Sequence, residues 1–326
     1  MKTEIIRMLK DCDGYLSGQE LCRRLSVSRT AVWKVIRQLQ EEGYRIEAVP
    51  SKGYRLLESA DVLTKAELES CMMGRRLGGK VFFYEKTDST NCRARELAEQ
   101  GVAEGTLAAA ECQEAGKGRR GRSWSSPPGT GIWMSLVLRP ELEPSRASML
   151  TLTAALAVTA GIRKVCGLEP QIKWPNDIVL SGKKVCGILT EMSTELEAIR
   201  YVILGIGINV NMEAFPEEIA ATATSLFLET GTRWKRSELI AAVMQAMEGY
   251  YGRFLQTGDL SGLMDEYMAQ LANQNRQVQV LAPAGAYGGI CRGINAAGEL
   301  LVEREDGTVE QVMSGEVSVR GIYGYV

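Results

Sequence analysis

The feature that most constrains this chain is Glu111–Trp124, ECQEAGKGRRGRSW, and above all Gly116-Lys117-Gly118-Arg119-Arg120-Gly121-Arg122. Four cations and three glycines share seven residues, and no apolar side chain lies between Ala115 and Trp124. Burial cannot pin such a segment, and its glycines keep the backbone free until something orders it. A solvated basic loop or a nucleic-acid patch is the ordinary reading of such a run. Trp124 and the apolar strand patterns on either side argue instead for a loop inserted between buried elements of a folded domain, with cations that need an anion.

Around this loop, 326 residues at 45% hydrophobic suffice for two or three domains. The net charge of −2 hides an asymmetry. Residues 1–57 carry 11 Lys/Arg against 7 Asp/Glu, which leaves 27 against 33 for the remainder. A basic module on an acidic body is compatible with one DNA-binding domain joined to something else. The eight cysteines form no C-x-x-C pair, so free thiols in a reducing cytoplasm are expected. No signal peptide is recognisable, and no apolar run is read as a membrane span. The chain has no histidine. That absence removes Ser-His-Asp and Cys-His catalysis and every histidine metal site, so no metal-ligating set of the protein's own is expected. The chemistry falls to cations, carboxylates and backbone.

In chain order, residues 1–57 predict a short helix at Thr3–Leu9 and a second at Gly18–Leu25, started by a capping box at Ser17 and Glu20. After a break at Ser26-Val27, Ser28 caps a longer helix to about Glu42. Val32, Val35, Ile36 and Leu39 form its apolar face, and Arg29, Thr30, Trp33, Lys34 and Arg37 its outer one. Tyr44–Leu57 alternates as a hairpin turning at Pro50-Ser51-Lys52-Gly53. This is the order of a winged helix-turn-helix, whose longer helix enters a major groove. A helical protein-interaction domain with a solvated basic face is the alternative. Phosphate contacts are expected from Arg29, Lys34, Arg37 and Lys52, with Ser28, Thr30 and Trp33 on the same face. Residues 58–66 read as a linker.

Further on, Val81–Tyr84 predicts a strand, and Asp88-Ser89-Thr90-Asn91 opens a helix to about Gln100, where amides and dipole favour an anion or polar ligand group. Ile132–Leu138 predicts a strand and Ser145–Cys166 a long apolar helix. Lys173-Trp174-Pro175-Asn176-Asp177 breaks a strand at a proline, and a hairpin leads to Lys183-Lys184-Val185-Cys186-Gly187. Tyr201–Asn211 reads as an apolar strand in which Gly205 and Gly207 mark close backbone approach. Residues 236–271 supply helices, and Arg276–Arg320 short alternating strands in the manner of a small barrel.

Several of these stretches resemble the biotin–protein ligases. The run 116–122 is similar to that family's Gly-Arg-Gly-Arg-x-Gly-Arg loop, with Lys117 where arginine is usual; charge is kept and the planar fork is lost. Asp88–Asn91, K-W-P-N-D, K-K-x-x-G-I-L, Ser314-Gly315-Glu316 and the winged-helix segment resemble family motifs as well. The resemblance implies an α+β multidomain chain: a winged helix-turn-helix (1–60), a central α/β ligase domain with a mixed sheet like that of class II aminoacyl-tRNA synthetases (61–272), and a C-terminal SH3-like barrel (273–326).

The resemblance further implies biotin contacts from Ser89, Thr90, Asn91, Gln113, Gly116, Lys117, Gly118, Arg119, Arg120, Gly121, Lys184, Gly187, Gly205 and Gly207. ATP or adenylate contacts would come from Arg119, Arg122, Trp124, Asn176, Lys184, Asn209, Glu316 and Arg320, and from the segment 212–225. Lys184 and Arg119 would carry the chemistry, Lys183 would be a solvated neighbour, and Asp177 would orient or deprotonate the acceptor amine. ATP, biotin and the Mg²⁺ that arrives with ATP are the implied ligands. A lysine of a biotin carboxyl carrier protein, operator DNA and a second copy of the chain are the implied partners. A lipoate or octanoate ligase and a non-catalytic biotin-sensing repressor remain the alternatives.

Overall fold

The computed structural model describes residues 1–59, 61–282, 285–313, 318–321 and 325. The amino-terminal module comprises α1 (Lys2–Lys10), α2 (Gly18–Leu25), α3 (Arg29–Glu41) and the hairpin β1 (Tyr44–Val49) and β2 (Gly53–Ser59). Ser28 caps α3 by accepting from the Ala31 amide at 3.2 Å, and Val32, Val35, Ile36 and Leu39 are buried. The capping box of α2 is only half made. Ser17 Oγ accepts from the Glu20 amide, but the Glu20 carboxylate turns to Arg24 at 2.5 Å, because an i,i+4 cation is within reach.

Residues 58–66 are no free linker. β2 runs through Ser59, and α4 (Lys65–Met72) starts soon after, capped by Thr64. α4 packs against α1 on one side and, on the other, against α9, the long helix Arg236–Thr257. Glu67 is 3% exposed at this seam and accepts from Lys10 Nζ (2.5 Å), Tyr44 Oη (2.7 Å) and Ser237 Oγ (2.9 Å).

The central unit is built on β3 (Lys80–Tyr84), α5 (Thr90–Glu99), β4 (Thr106–Ala110), β5 (Gly131–Leu138), α6 (Met149–Cys166), β6 (Gln171–Lys173), β7 (Asp177–Leu180), β8 (Lys183–Glu195) and β9 (Ala198–Asn209). The short α7 (Glu217–Ala220) and α8 (Leu226–Thr230), then α9 and α10 (Met264–Gln270), complete it. Its seven-stranded sheet has the order β3-β4-β5-β9-β8-β7-β6, with β3 and β4 parallel and every other pair antiparallel. Period-two alternation sorts the faces. In β9, Val202, Leu204, Ile206 and Ile208 join the core under α6 and α9, while Tyr201 and Ile203 turn the other way and pack with Ala94, Leu97 and Ala98 of α5. Gly205 and Gly207 share that second face and leave it bare.

The stretch Pro144–Cys166, a short 3-10 turn followed by α6, is long and apolar enough to cross a bilayer, contrary to the sequence reading; 67% of its most apolar window is buried within the fold. Its apolar residues serve as the central core. The carboxyl-terminal unit is a five-stranded antiparallel sheet, β10 (Gln277–Ala282), β11 (Gly285–Ile294), β12 (Leu300–Glu303), β13 (Val309–Val312) and β14 (Ser318–Gly321), in the order β13-β12-β11-β10-β14. Val278, Val280, Leu300 and Val302 share the core cluster that holds Trp174 and Leu263, so this sheet packs on the central unit with no break in apolar contact.

Candidate active site

The bare floor at Gly205 and Gly207 is the base of a cleft. A β-carbon at Gly205 would fall 2.1 Å from Asn91 Oδ1, and one at Gly207 would fall 2.9 Å from Trp124 Nε1. Ser89, Thr90, Asn91, Gln113, Lys117, Gly118, Arg119, Trp124, Asn176, Lys184 and Gly187 line the rest, together with Trp133, Met134, Ile188, Leu189 and Ile206. Sequence reasoning named none of this last apolar group as a ligand contact, although Ile188 and Leu189 end the K-K-x-x-G-I-L motif. Its signal was present in the strand alternation but indistinguishable from ordinary core.

The start of α5 is prepared for a ligand. Asp88 accepts from the Ser89 amide (2.7 Å), Thr87 Oγ1 (2.9 Å) and Arg93 Nη2 (3.0 Å). Burial works to raise its pKa, and these donors outweigh burial and hold the carboxyl below its ordinary value. Ser89 stands at the N-cap without the usual side-chain bond to the helix, which leaves its hydroxyl to the cleft. Gln113 Oε1 takes over the capping, accepting from the Thr90 amide at 2.8 Å, and Gln113 Nε2 donates to Ser126 Oγ at 2.7 Å. Asn91 is held by Ser135 Oγ donating to its Oδ1 (2.6 Å) and by its own Nδ2 donating to Glu191 (2.7 Å). Ser135 and Glu191 are supports that the sequence reading missed.

The glycine–arginine loop folds as a narrow turn, with the Trp124 amide on Gly116 O (2.8 Å) and the Gly118 amide on Arg122 O (2.7 Å). Gly116 is buried, and a β-carbon there would meet Trp124 O at 2.3 Å, so its role is the close approach of two backbone segments. Arg120 and Gly121 sit at the turn with positive φ (59° and 72°), exposed and outside the inner cleft, contrary to the expectation that they reach biotin. Arg119 points inward, donating to Asn176 Oδ1 at 2.9 Å, and burial draws its pKa below the ordinary arginine range. Lys117 Nζ reaches Cys92 Sγ at 3.3 Å. Trp124 lies across the floor, against Gly187 and Gly207, with its indole N–H buried and no acceptor among the described residues. The family resemblance counts Trp124 among the ATP or adenylate contacts. In the structure its ring lies within the cleft, because two side-chain-free positions face each other across β8 and β9 and leave a slot that an indole fills.

Lys184 reaches the cleft through an irregularity. Ile178 pairs with Cys186 but Val179 with Lys184, so Val185 is an extra residue in β8. Strict alternation from Gly187 would bring Lys183 to the cleft; the bulge brings Lys184 there and leaves Lys183 exposed. Lys184 Nζ pairs with Asp177 Oδ1 at 2.5 Å and lies 4.9 Å from the Trp124 ring. Its backbone also binds the 212–225 segment, through Lys184 N to Thr222 O (2.8 Å) and Thr224 N to Lys184 O (2.9 Å).

The cleft opens at Arg119, Trp124, Asn176 and Lys184 onto a wider groove. Arg122, Asp177, Asn209, Tyr325 and the segment Met212–Pro216, with Ile219, Thr222 and Ala223, line that groove. Asn209 donates to Thr224 O at 3.0 Å, and Tyr325 Oη donates to Asp177 Oδ2 at 2.5 Å. Glu316 lies outside the described residues, and Arg320 is described only through its backbone in β14. Among the described residues no three acidic or cysteine side chains converge as a metal site. The groove carries arginines and a lysine, a donor set that suits phosphate oxygens.

Separately, Ser28, Arg29, Thr30, Trp33, Lys34, Arg37 and Lys52 are all exposed. Trp33 is 48% exposed with Arg37 stacked 5.3 Å from its ring, and Lys52 sits 5.5 Å from the ring of Tyr15.

Three family models match the chain: the biotin/lipoate A/B protein ligase family over residues 83–209, an HTH domain over 2–55, and the biotin protein ligase C-terminal domain over 275–320. The bifunctional ligase/repressor BirA of Bacillus subtilis is 38% identical over 309 residues, 94% of each chain. The protein of that name from Escherichia coli is 32% identical over 304 residues, 93% of this chain and 92% of that one. Among solved structures, the biotin protein ligase from Aquifex aeolicus in complex with biotin and ATP has a TM-score of 0.66 at 31% identity, covering 74% of this chain and 99% of that chain. An amino-terminal helix-turn-helix, a cationic cleft on a mixed sheet and these relatives agree: the chain belongs to the family of bifunctional biotin ligase/repressors.

Proposed function

We propose that the chain condenses biotin with ATP to biotinyl-5'-AMP where the cleft meets the groove, and passes the biotinyl group to a lysine of a biotin carboxyl carrier protein. As an adenylate-bound dimer, joined through the central sheet, it represses biotin-biosynthesis genes. The observation that carries this reading is the junction: Arg119, Trp124, Asn176 and Lys184 belong to both cavities. A carboxylate in the inner cleft and a nucleotide in the outer groove would meet there. The division of labour among 1–60, 61–272 and 273–326 follows the same reading, as does a cytoplasmic location.

In the first step a biotin carboxylate oxygen attacks the α-phosphorus of ATP, and pyrophosphate leaves. The carboxylate is ionised at neutral pH, so no base is required and the absence of histidine costs nothing. The obstacle is the meeting of two anions, which positioned cations relieve. Arg119 and Lys184 supply charge at the junction and Arg122 in the groove. Lys184 must leave Asp177 to do so, which ties activation of the lysine to arrival of the anion. Mg²⁺ bound with ATP would neutralise part of the phosphate charge, and Arg119, Arg122 and Lys184 add to it. The buried Trp124 N–H, which has no acceptor among the described residues, stands beside the floor, and Gln113, Ser89 and Thr90 offer polar contacts at the α5 end. In the second step an acceptor lysine attacks the mixed anhydride carbonyl and AMP leaves. Asp177, once free of Lys184, is placed to orient that amine and take its proton.

The deciding experiment is carboxylate-dependent ATP–pyrophosphate exchange with biotin, lipoate and octanoate. Exchange with biotin alone is the expected result. Exchange with lipoate or octanoate would move the chain to a sister activity. Biotin binding without exchange would make it a sensor-only repressor.

A further inference from the structure

Arg236, the first residue of α9, is 2% exposed, and its two carboxylate partners come from distant parts of the chain. Its amide and Nε donate to Asp61 Oδ1 (2.9 Å) and Oδ2 (2.6 Å), and Nη1 donates to both oxygens of Glu111 (3.1 and 3.0 Å) and to Gly131 O (3.3 Å). Asp61 belongs to the short segment between the winged-helix module and α4. Glu111 is the first residue after β4, at one root of the glycine–arginine loop, and its Oε1 also accepts from the Gly129 amide at the other root (2.5 Å). Asp61 Oδ2 accepts in addition from Asn211 Nδ2 (3.0 Å), at the point where the 212–225 segment leaves the sheet. One guanidinium therefore gathers the roots of both ligand-facing loops and the connection to the DNA-binding module. Burying this many charges is expensive, and stability alone would be served as well by apolar packing.

We propose that Arg236, together with Asp61, is a positioning residue for the adenylate. It sets the roots of the 111–131 and 212–225 loops and makes their order depend on the placement of the segment that carries the DNA-binding module. The proposal rests on the adenylating activity described above. Because linkage is reciprocal, ligand-induced order in the loops is returned to that segment by the same bonds.

The test uses the full-length chain with biotin and ATP as probes, and compares Asp61→Asn and Arg236→Lys with Glu67→Gln. The last variant weakens another charged contact of the same domain seam, at Lys10, Tyr44 and Ser237, without touching the loop roots. Biotinyl-5'-AMP release, tryptic cleavage within 117–122 with and without biotin plus ATP, exchange kinetics and thermal midpoint are measured for each. Asp61→Asn and Arg236→Lys are expected to release the adenylate about tenfold faster, with KM for biotin raised and kcat of exchange within about threefold, and to lose protection from trypsin. Glu67→Gln is expected to lower the thermal midpoint and leave release within about twofold. Two results would overturn the assignment: parental release and protection in folded Asp61→Asn, or equal acceleration by Glu67→Gln, which would mean mere loosening of the seam. If Arg236→Lys does not fold, Asp61→Asn decides the matter alone. A parent chain without biotin-dependent exchange would remove the adenylating activity itself, and this inference with it.

Discussion

Lys184 Nζ and Asp177 Oδ1 stand 2.5 Å apart in a cleft built for an anion. The pair sits where the two proposed half-reactions divide. A phosphate-bearing ligand competes with Asp177 for the ammonium, and the carboxylate it displaces faces the place an amine must enter. The two halves therefore separate by mutation. Lys184→Met should slow exchange by about 10²–10³, the usual cost of one lost donor to developing charge. Asp177→Asn should keep exchange within about threefold and slow transfer to the acceptor at least about tenfold. Equal losses in both assays for Asp177→Asn would reject its role in the second step.

Arg119 joins the loop to Asn176 and lines both the cleft and the groove. Arg119→Gly should let the adenylate escape, so that bystander proteins carrying free amines become biotinylated. A streptavidin blot of a mixed-protein reaction reads this directly, and labelling no greater than the parent's would count against a retaining role.

The cleft floor tolerates no side chain at Gly205, where a β-carbon would lie 2.1 Å from Asn91 Oδ1. Gly205→Ala should destabilise the fold by about 1–3 kcal/mol through overpacking, with a larger proportional loss in biotin affinity. Thermal unfolding with and without biotin separates the effects; an unchanged ligand-induced shift would show that the floor has room to spare.

Asp88 has a folded-state pKa below its unfolded value, because the Ser89 amide, the Thr87 hydroxyl and Arg93 together outweigh its partial burial. Its contribution to stability is present above the ordinary carboxylate pKa, near 4, and is lost as pH falls through the lowered folded value. The stability gap between the parent and Asp88→Asn should thus be constant from neutral pH to about pH 5 and shrink only once the pH has fallen below the ordinary carboxylate pKa, closing beneath the lowered folded value. Denaturant melts across that range provide the check, and a gap that persists in acid would contradict the assignment.

On the outer face of α3, Arg37 and Lys34 are exposed beside Trp33. Arg37→Ala should lower affinity for duplex DNA and reduce the slope of log K against log salt by about one phosphate contact. Fluorescence anisotropy at several salt concentrations measures it. An unchanged slope would place Arg37 off the DNA.

Much of this protein is local, and what is local was readable. Ser17 and Ser28 announce their helices, the 3.6-residue spacing of Val32, Val35, Ile36 and Leu39 picks the buried face of α3 and leaves the basic one outside, and alternation in β9 separates Ile206 from Gly205 and Gly207. The cationic loop, the motif at Asp88–Asn91 and the lysine pair at 183–184 were visible as chemistry because unusual residues cluster over a few positions. Tertiary structure decided the remainder. Which lysine enters the cleft depends on a bulge at Val185, which exists only in register with β7. Glu20 chose Arg24 over its own helix start. The position of Trp124 depends on a slot formed by glycines from two strands. Asp61, a polar residue in an unremarkable connection, finds Arg236 at a separation of 175 residues and Glu111 through it. Periodicity and capping act over one or two turns of chain and are written in consecutive residues. Bulges, slots and buried ion pairs depend on which distant segments the packed core brings together.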